Sequence, residues 1–116
     1  MALRKFVEKL TKPVDELDRE QLTTWCDGRG AVAIDQVELR RASRLAGEVR
    51  SVRIVPRAGA DALEATISDG RASVTAVFLG RRKVPGLSPG RRIVLDGVVA
   101  ADGERRVMYN PIYTLV

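Results

Sequence analysis

At 116 residues, with 45% apolar and 30% charged side chains, the chain is long enough for one hydrophobic core and too apolar to remain unfolded. It has no histidine and one cysteine, Cys26, which excludes an intrachain disulfide, the usual zinc sites and the commonest general base. The net charge of +5 hides an asymmetry: residues 1–39 carry six basic and eight acidic side chains, whereas residues 40–116 carry fourteen basic and seven acidic. Thirteen of those fourteen are arginine, which forks onto phosphate and stacks on bases, so the skew points to a polyanionic partner. A GC-rich coding sequence would also raise arginine, but not its one-sidedness.

The first elements are helical. Phe6, Val7 and Leu10 fall on one face of a short helix before Pro13, with Thr11 placed to cap a second helix. Val14, Leu17, Leu22 and Trp25 continue a helical pattern that "CDGRG", Cys26 to Gly30, terminates. Trp25 is expected to pack this arm onto the rest. Residues 31–40 fit either a short helix or an extended approach. The amino-terminal stretch is broken by charges every second or third place and holds no run of about 18 apolar residues, so a cytoplasmic protein with no membrane contact is expected.

From about Ser43 the period becomes two. Leu45, Gly47 and Val49 alternate, and Val52 and Ile54 resume one residue out of phase, which predicts a bulge near Arg50 and Ser51 in one long strand. Leu63, Ala65 and Ile67 form a second strand with Glu64, Thr66 and Ser68 outward, and Asp69-Gly70 turns into a third strand over 73–79. There Val74, Ala76 and Phe78 face the core, and Thr75, Val77 and Leu79 face out. A Gly/Pro-rich basic link comes next. Ile93, Leu95, Gly97 and Val99 mark a fourth strand, and Asp102-Gly103 turns into a fifth over 105–109, ended by Asn110-Pro111. Tyr109 shares a phase with Val107 and is expected inward, leaving Tyr113 free to stack on a base. Five short strands, with Gly47 and Gly97 inside them where a sheet curls, predict a mainly β, closed barrel that removes the open edges. An SH3-like barrel is the nearest rival.

Four stretches carry a resemblance: Gly47 and Val49 on the first strand, "LEATISDGRASVTAVFLG" over the second and third, "LSPGRRIVLDGVV" into the fourth, and "VMYNPIY" closing the fifth. Their succession resembles the OB-fold of the anticodon-binding type, and the closing motif is similar to that of the wedge domain of branch-migrating DNA helicases. The link "LGRRKVPGLSPGRR", Leu79 to Arg92, resembles that of small actinobacterial OB-fold proteins with a helical extension. The resemblance covers Leu45 to Tyr113. It implies a five-stranded OB-fold barrel over residues 41–116, with residues 1–40 as a helical arm packing on it. It also implies a ligand face on strands two and three and on the loops after strand one and between strands four and five.

That face supplies the candidate contacts: Arg57 from the first loop, Arg105 and Arg106 from the second, and Thr75 and Val77 from strand three. Arg81, Arg82 and Lys83 form the densest basic cluster, and Arg91 and Arg92 lie across a loop expected to hold all five on one side. Tyr113 is the stacking candidate. OB-folds that bind nucleic acid usually stack bases on several exposed aromatics, yet only 4% of this chain is aromatic, so contacts to phosphate are expected to dominate. No catalytic residue, cofactor or metal is expected: the lone Cys26 has no histidine beside it, and the Gly80 to Gly90 loop lacks the order of a nucleotide-hydrolase phosphate loop. The sequence thus predicts a non-catalytic nucleic-acid-binding module, with DNA favoured over RNA and single-stranded or branched substrates. The alternative is a protein-interaction barrel that meets a partner, or a second copy, through the arm.

Overall fold

The computed structural model describes residues 14–116, so the expected Phe6 to Leu10 helix and the Thr11 cap lie outside the described residues. Helix α1 (Val14–Asp27) precedes a single 3-10 turn (Ile34–Gln36) and six strands: β1 (Ala42–Val55), β2 (Ala62–Ser68), β3 (Ser73–Leu79), β4 (Arg92–Asp102), β5 (Arg105–Tyr109) and β6 (Ile112–Leu115). The protein is mainly β, and five strands close into a ring. Antiparallel pairing runs β1 to β2 to β3, a parallel pair joins β3 to β5, and β5 returns through β4 to β1. Among the described residues no helix is long and apolar enough to cross a membrane.

Strand β1 makes closure possible because it pairs with both β2 and β4. Its first half, Ala42 to Glu48, pairs with β4, and its second half, Glu48 to Val55, pairs with β2. The register slips between Val49 and Ser51, so Arg50 is the extra residue of the expected bulge. At the shared point Gly47 lies so close to β2 that an added Cβ would sit 2.6 Å from the Ile67 side chain and from the Ser68 carbonyl oxygen. Only glycine fits there.

Inside the ring, Leu45, Val49, Ile67, Val74, Phe78, Ile93, Leu95 and Met108 form one buried core. The link over 80–91 contributes to it, since Val84 and Leu87 are buried against the same cluster. Ile34 of the 3-10 turn also enters the core and is fully buried.

The chain's last residues form a strand that the sequence pattern does not anticipate. Asn110 takes a left-handed conformation (φ 46°), which asparagine tolerates better than most residues, and its side-chain oxygen accepts a hydrogen bond from the Leu79 amide at 2.9 Å. Its own amide bonds the Val77 carbonyl at 2.7 Å. Beyond Pro111 the chain continues as β6, which pairs with β4 from Asp96 to Ile93. Strands β5 and β6 are therefore one line along β4, with three residues (109–111) facing two (97–98).

Helix α1 docks outside the ring. Leu22 and Cys26 bury against Ala46 of β1, flanked by Trp25, Ala31 and Val94. A helix of 14 residues is marginal in water by itself, so this docking and its polar contacts hold it. Those contacts gather on the β2–β3 turn: the Thr23 hydroxyl donates to the Asp69 carbonyl at 3.0 Å, and Arg71 forks onto Asp27 at 3.1 and 3.0 Å.

Candidate nucleic-acid interface

The outer face of β2, β3 and β5 carries a transverse row set by strand register. Arg53 lies opposite Glu64, Glu64 opposite Val77, and Val77 opposite Tyr109. Glu64 occupies an outward position, as expected, yet it is buried, with its side chain 4% exposed. Three guanidinium groups cover it: Arg53 at 3.3 Å, Arg57 at 3.9 Å and Arg105 at 3.1 Å. A buried carboxylate must be hydrogen-bonded or paired, and these three cations, shared between Glu64 and Asp102, leave an excess of positive charge.

The three arginines are held differently. Arg105 also grips Asp102 at 2.8 Å, and Asp102 first and Glu64 second hold its guanidinium above its already high ordinary range. The Arg57 guanidinium lies 5.8 Å from the centre of the Tyr109 ring, within cation–π reach. Arg53 remains largely exposed. Beside them Thr66, Thr75, Arg106 and one carboxylate, Glu104, line a cleft of about 480 Å³. This surface can hold phosphate by forked donors whose geometry is fixed before a ligand arrives.

The predicted contact residues divide into three groups. Arg57, Thr75, Arg105 and Arg106 come together on this face, although Thr75 is largely buried. Val77 shares the face but makes no contact surface. It is fully buried with Ala62 and Val107, because it lies mid-row between its cross-strand neighbours Glu64 and Tyr109, which corrects the expectation that it is presented outward.

The basic link does not hold its five charges on one side. Gly80 bonds Asp61 at the start of β2, and Arg82 pairs with the Asp61 carboxylate at 3.3 Å, so Arg81, Arg82 and Lys83 lie at that end. The Arg91 carbonyl accepts from Val49, which pairs with Ile67 six residues further along, about 20 Å of extended strand. At that second end Arg91 donates to the Val116 carbonyl at 3.3 Å, and the Arg92 guanidinium lies 5.0 Å from the Trp25 ring centre. The link spans the ring instead of looping back, because Val84 and Leu87 must reach the core between its ends.

The two tyrosines exchange their expected roles. Met108 fills the core, which turns Tyr109 outward and leaves it 42% exposed. Tyr113 instead packs against the core, edge-on to Phe78 with ring centres 5.6 Å apart at 86°. The phase of Arg105, Val107 and Tyr109 holds two apolar residues and that of Arg106 and Met108 only one, so alternation favours the phase that in fact faces outward. Arg53, Glu64 and Tyr109 are the members of the face absent from the predicted set.

Cys26 has no place in this site. Burial and the nearby Asp69 and Asp27 carboxylates push its thiol up to about 11. Native protein at pH 8 should therefore react with a thiol reagent far more slowly than protein unfolded in guanidinium, read by absorbance of the released chromophore; equal rates would contradict the buried position.

No protein-family model matches the sequence, and neither a curated protein nor a solved structure matches it.

Proposed function

We propose that the chain is a non-catalytic, cytoplasmic nucleic-acid-binding protein on an OB-fold, which grips single-stranded or branched DNA mainly through arginine contacts to phosphate. The OB reading is supported by the strand order β1-β2-β3-β5-β4 closing on β1, with β3 and β5 as the parallel pair. The observation that carries the function is the cluster of Arg53, Arg57 and Arg105 around the buried carboxylate of Glu64, with Arg106 beside it. Glu64 fixes the guanidinium groups while leaving unused donors and net positive charge on the surface.

A fluorescence-anisotropy titration tests this with labelled single-stranded, duplex and forked DNA and single-stranded RNA, at about 50 and 200 mM salt. Micromolar or tighter binding that weakens steeply with salt is expected, with single-stranded or forked DNA bound best. Flat curves with every probe at the lower salt would overturn the reading in favour of a protein-interaction barrel.

A further inference from the structure

Four large apolar side chains stay exposed around the Asn110-Pro111 bulge: Leu79 at 43%, Val98 at 49%, Tyr109 at 42% and Ile112 at 73%. They share the outer surface. Leu79 is hydrogen-bonded to the Asn110 side chain, Tyr109 comes after Met108, which faces Val99, and so lies beside Val98, and Ile112 pairs with Asp96. A folded chain gains nothing by leaving such a group in water, and a contiguous exposed patch of this kind marks a contact surface.

The charge around the patch selects what contacts it. Each neighbouring carboxylate already has a guanidinium: Asp96 has Arg44 at 2.8 Å, Asp61 has Arg82 at 3.3 Å, and Glu64 has three. Positive charge is left over at Arg57, above the Tyr109 ring, and at Arg81, two residues beyond Leu79 and unpaired among the described residues. A partner that fits must carry flat apolar groups and negative charges side by side. Single-stranded nucleic acid does, whereas a duplex keeps its base faces stacked inside and offers only phosphates to this surface.

We infer that Tyr109, with Val98, Ile112 and Leu79, is a platform for unpaired bases, and that it makes the protein select single strands over duplex. The inference rests on the proposed nucleic-acid function and adds a base-contact site to it. Arg57 holds a phosphate beside a base lying on Tyr109.

The test compares three probes in about 50 mM salt: a thymidine oligonucleotide of about 20 nucleotides, an abasic strand of the same length and charge, and the corresponding duplex. The thymidine strand should bind about tenfold tighter than the abasic strand, the effect of one stacked base. Tyr109→Ala should remove that difference, and Tyr109→Phe, which keeps the ring beside Arg57, should retain it. Ile112→Ser, at a position too exposed to endanger the fold, should narrow it. Equal affinity for thymidine and abasic strands, with a normal salt slope, would refute the platform and leave the phosphate-binding function standing. No binding to any probe would sink both. A dimer seen by sedimentation and abolished by Ile112→Ser would overturn the inference by assigning the patch to a second copy of the chain.

Discussion

Replacing Asp69 by alanine should destabilise the protein by about 3 kcal/mol and lower its thermal midpoint by roughly 10 °C. Asp69 is 1% exposed, and its carboxylate accepts three backbone hydrogen bonds: Arg71 and Ala72 amides on one oxygen at 2.9 and 3.0 Å, and the Ile34 amide on the other at 2.9 Å. The first two close the β2–β3 turn. The third reaches across 35 residues to hold the 3-10 turn whose Ile34 side chain enters the core. Alanine would strand those donors, and the buried Ile34 amide has no water to turn to. Asparagine is the informative comparison, because it keeps one carbonyl acceptor and so retains the turn or the Ile34 contact, but not both. Circular-dichroism melts should rank wild type above Asp69→Asn and Asp69→Ala lowest. An alanine variant melting with the wild type would show that the turn does not depend on this carboxylate.

Asp69 also shows what single-sequence reading can and cannot reach. Asp69-Gly70 is legible as a tight turn, since glycine supplies the φ of +90° found there. The Ile34 contact is not legible, because no local pattern announces a bond between residues 35 apart. The β1 bulge is readable since a phase slip moves every later side chain to the other face, and Leu45, Val49, Val52 and Ile54 record it. Strand β5 has no such record. Its odd phase holds two apolar residues, Val107 and Tyr109, against Met108 alone in the even phase, so alternation points to the phase that the register turns outward. Strand β6 is hidden behind Pro111, which reads as a terminator although a proline at a bulge leaves the pairing beyond it intact.

The site divides in the same way. Arginine-rich loops are visible in composition, and Arg57, Arg105 and Arg106 are reached through the loops that the OB resemblance implies. Arg53 and Glu64 are not, because an outward glutamate alternating with apolar residues reads as solvated. It becomes a buried anchor only once the end of β1 and the start of β5 bring arginines from two distant segments over it. The basic link misleads for the converse reason. Charges a dozen residues apart in sequence look like one patch, and the traverse forced by Val84 and Leu87 makes them two.

Changing Arg57, Arg81 and Arg106 together to alanine should weaken binding of a single strand at least tenfold at about 50 mM salt and reduce the salt slope by about two. These three are chosen because the fold does not depend on them. Arg57 makes the longest of the contacts to Glu64, at 3.9 Å, while Arg53 and Arg105 remain on that carboxylate, and Arg81 and Arg106 have no ion-pair partner among the described residues. A charge-matched control, Arg29, Arg41 and Arg91 to alanine, removes the same three charges from positions off the face: Arg29 lies 5.1 Å from the Trp25 ring centre, Arg41 pairs with exposed Glu38, and Arg91 bonds the last residue. Net charge affects both variants alike through long-range attraction, which salt screens. Contact affects only the first. Counterion release scales with the phosphates neutralised, so the slope of affinity against salt separates the two effects better than affinity at one condition. A steep slope retained by the control and lost by the first variant would place the phosphates on the β2–β3–β5 face. Equal losses in both would mean that the protein attracts nucleic acid by overall charge alone, and that Glu64 and its arginines serve the fold and not a ligand.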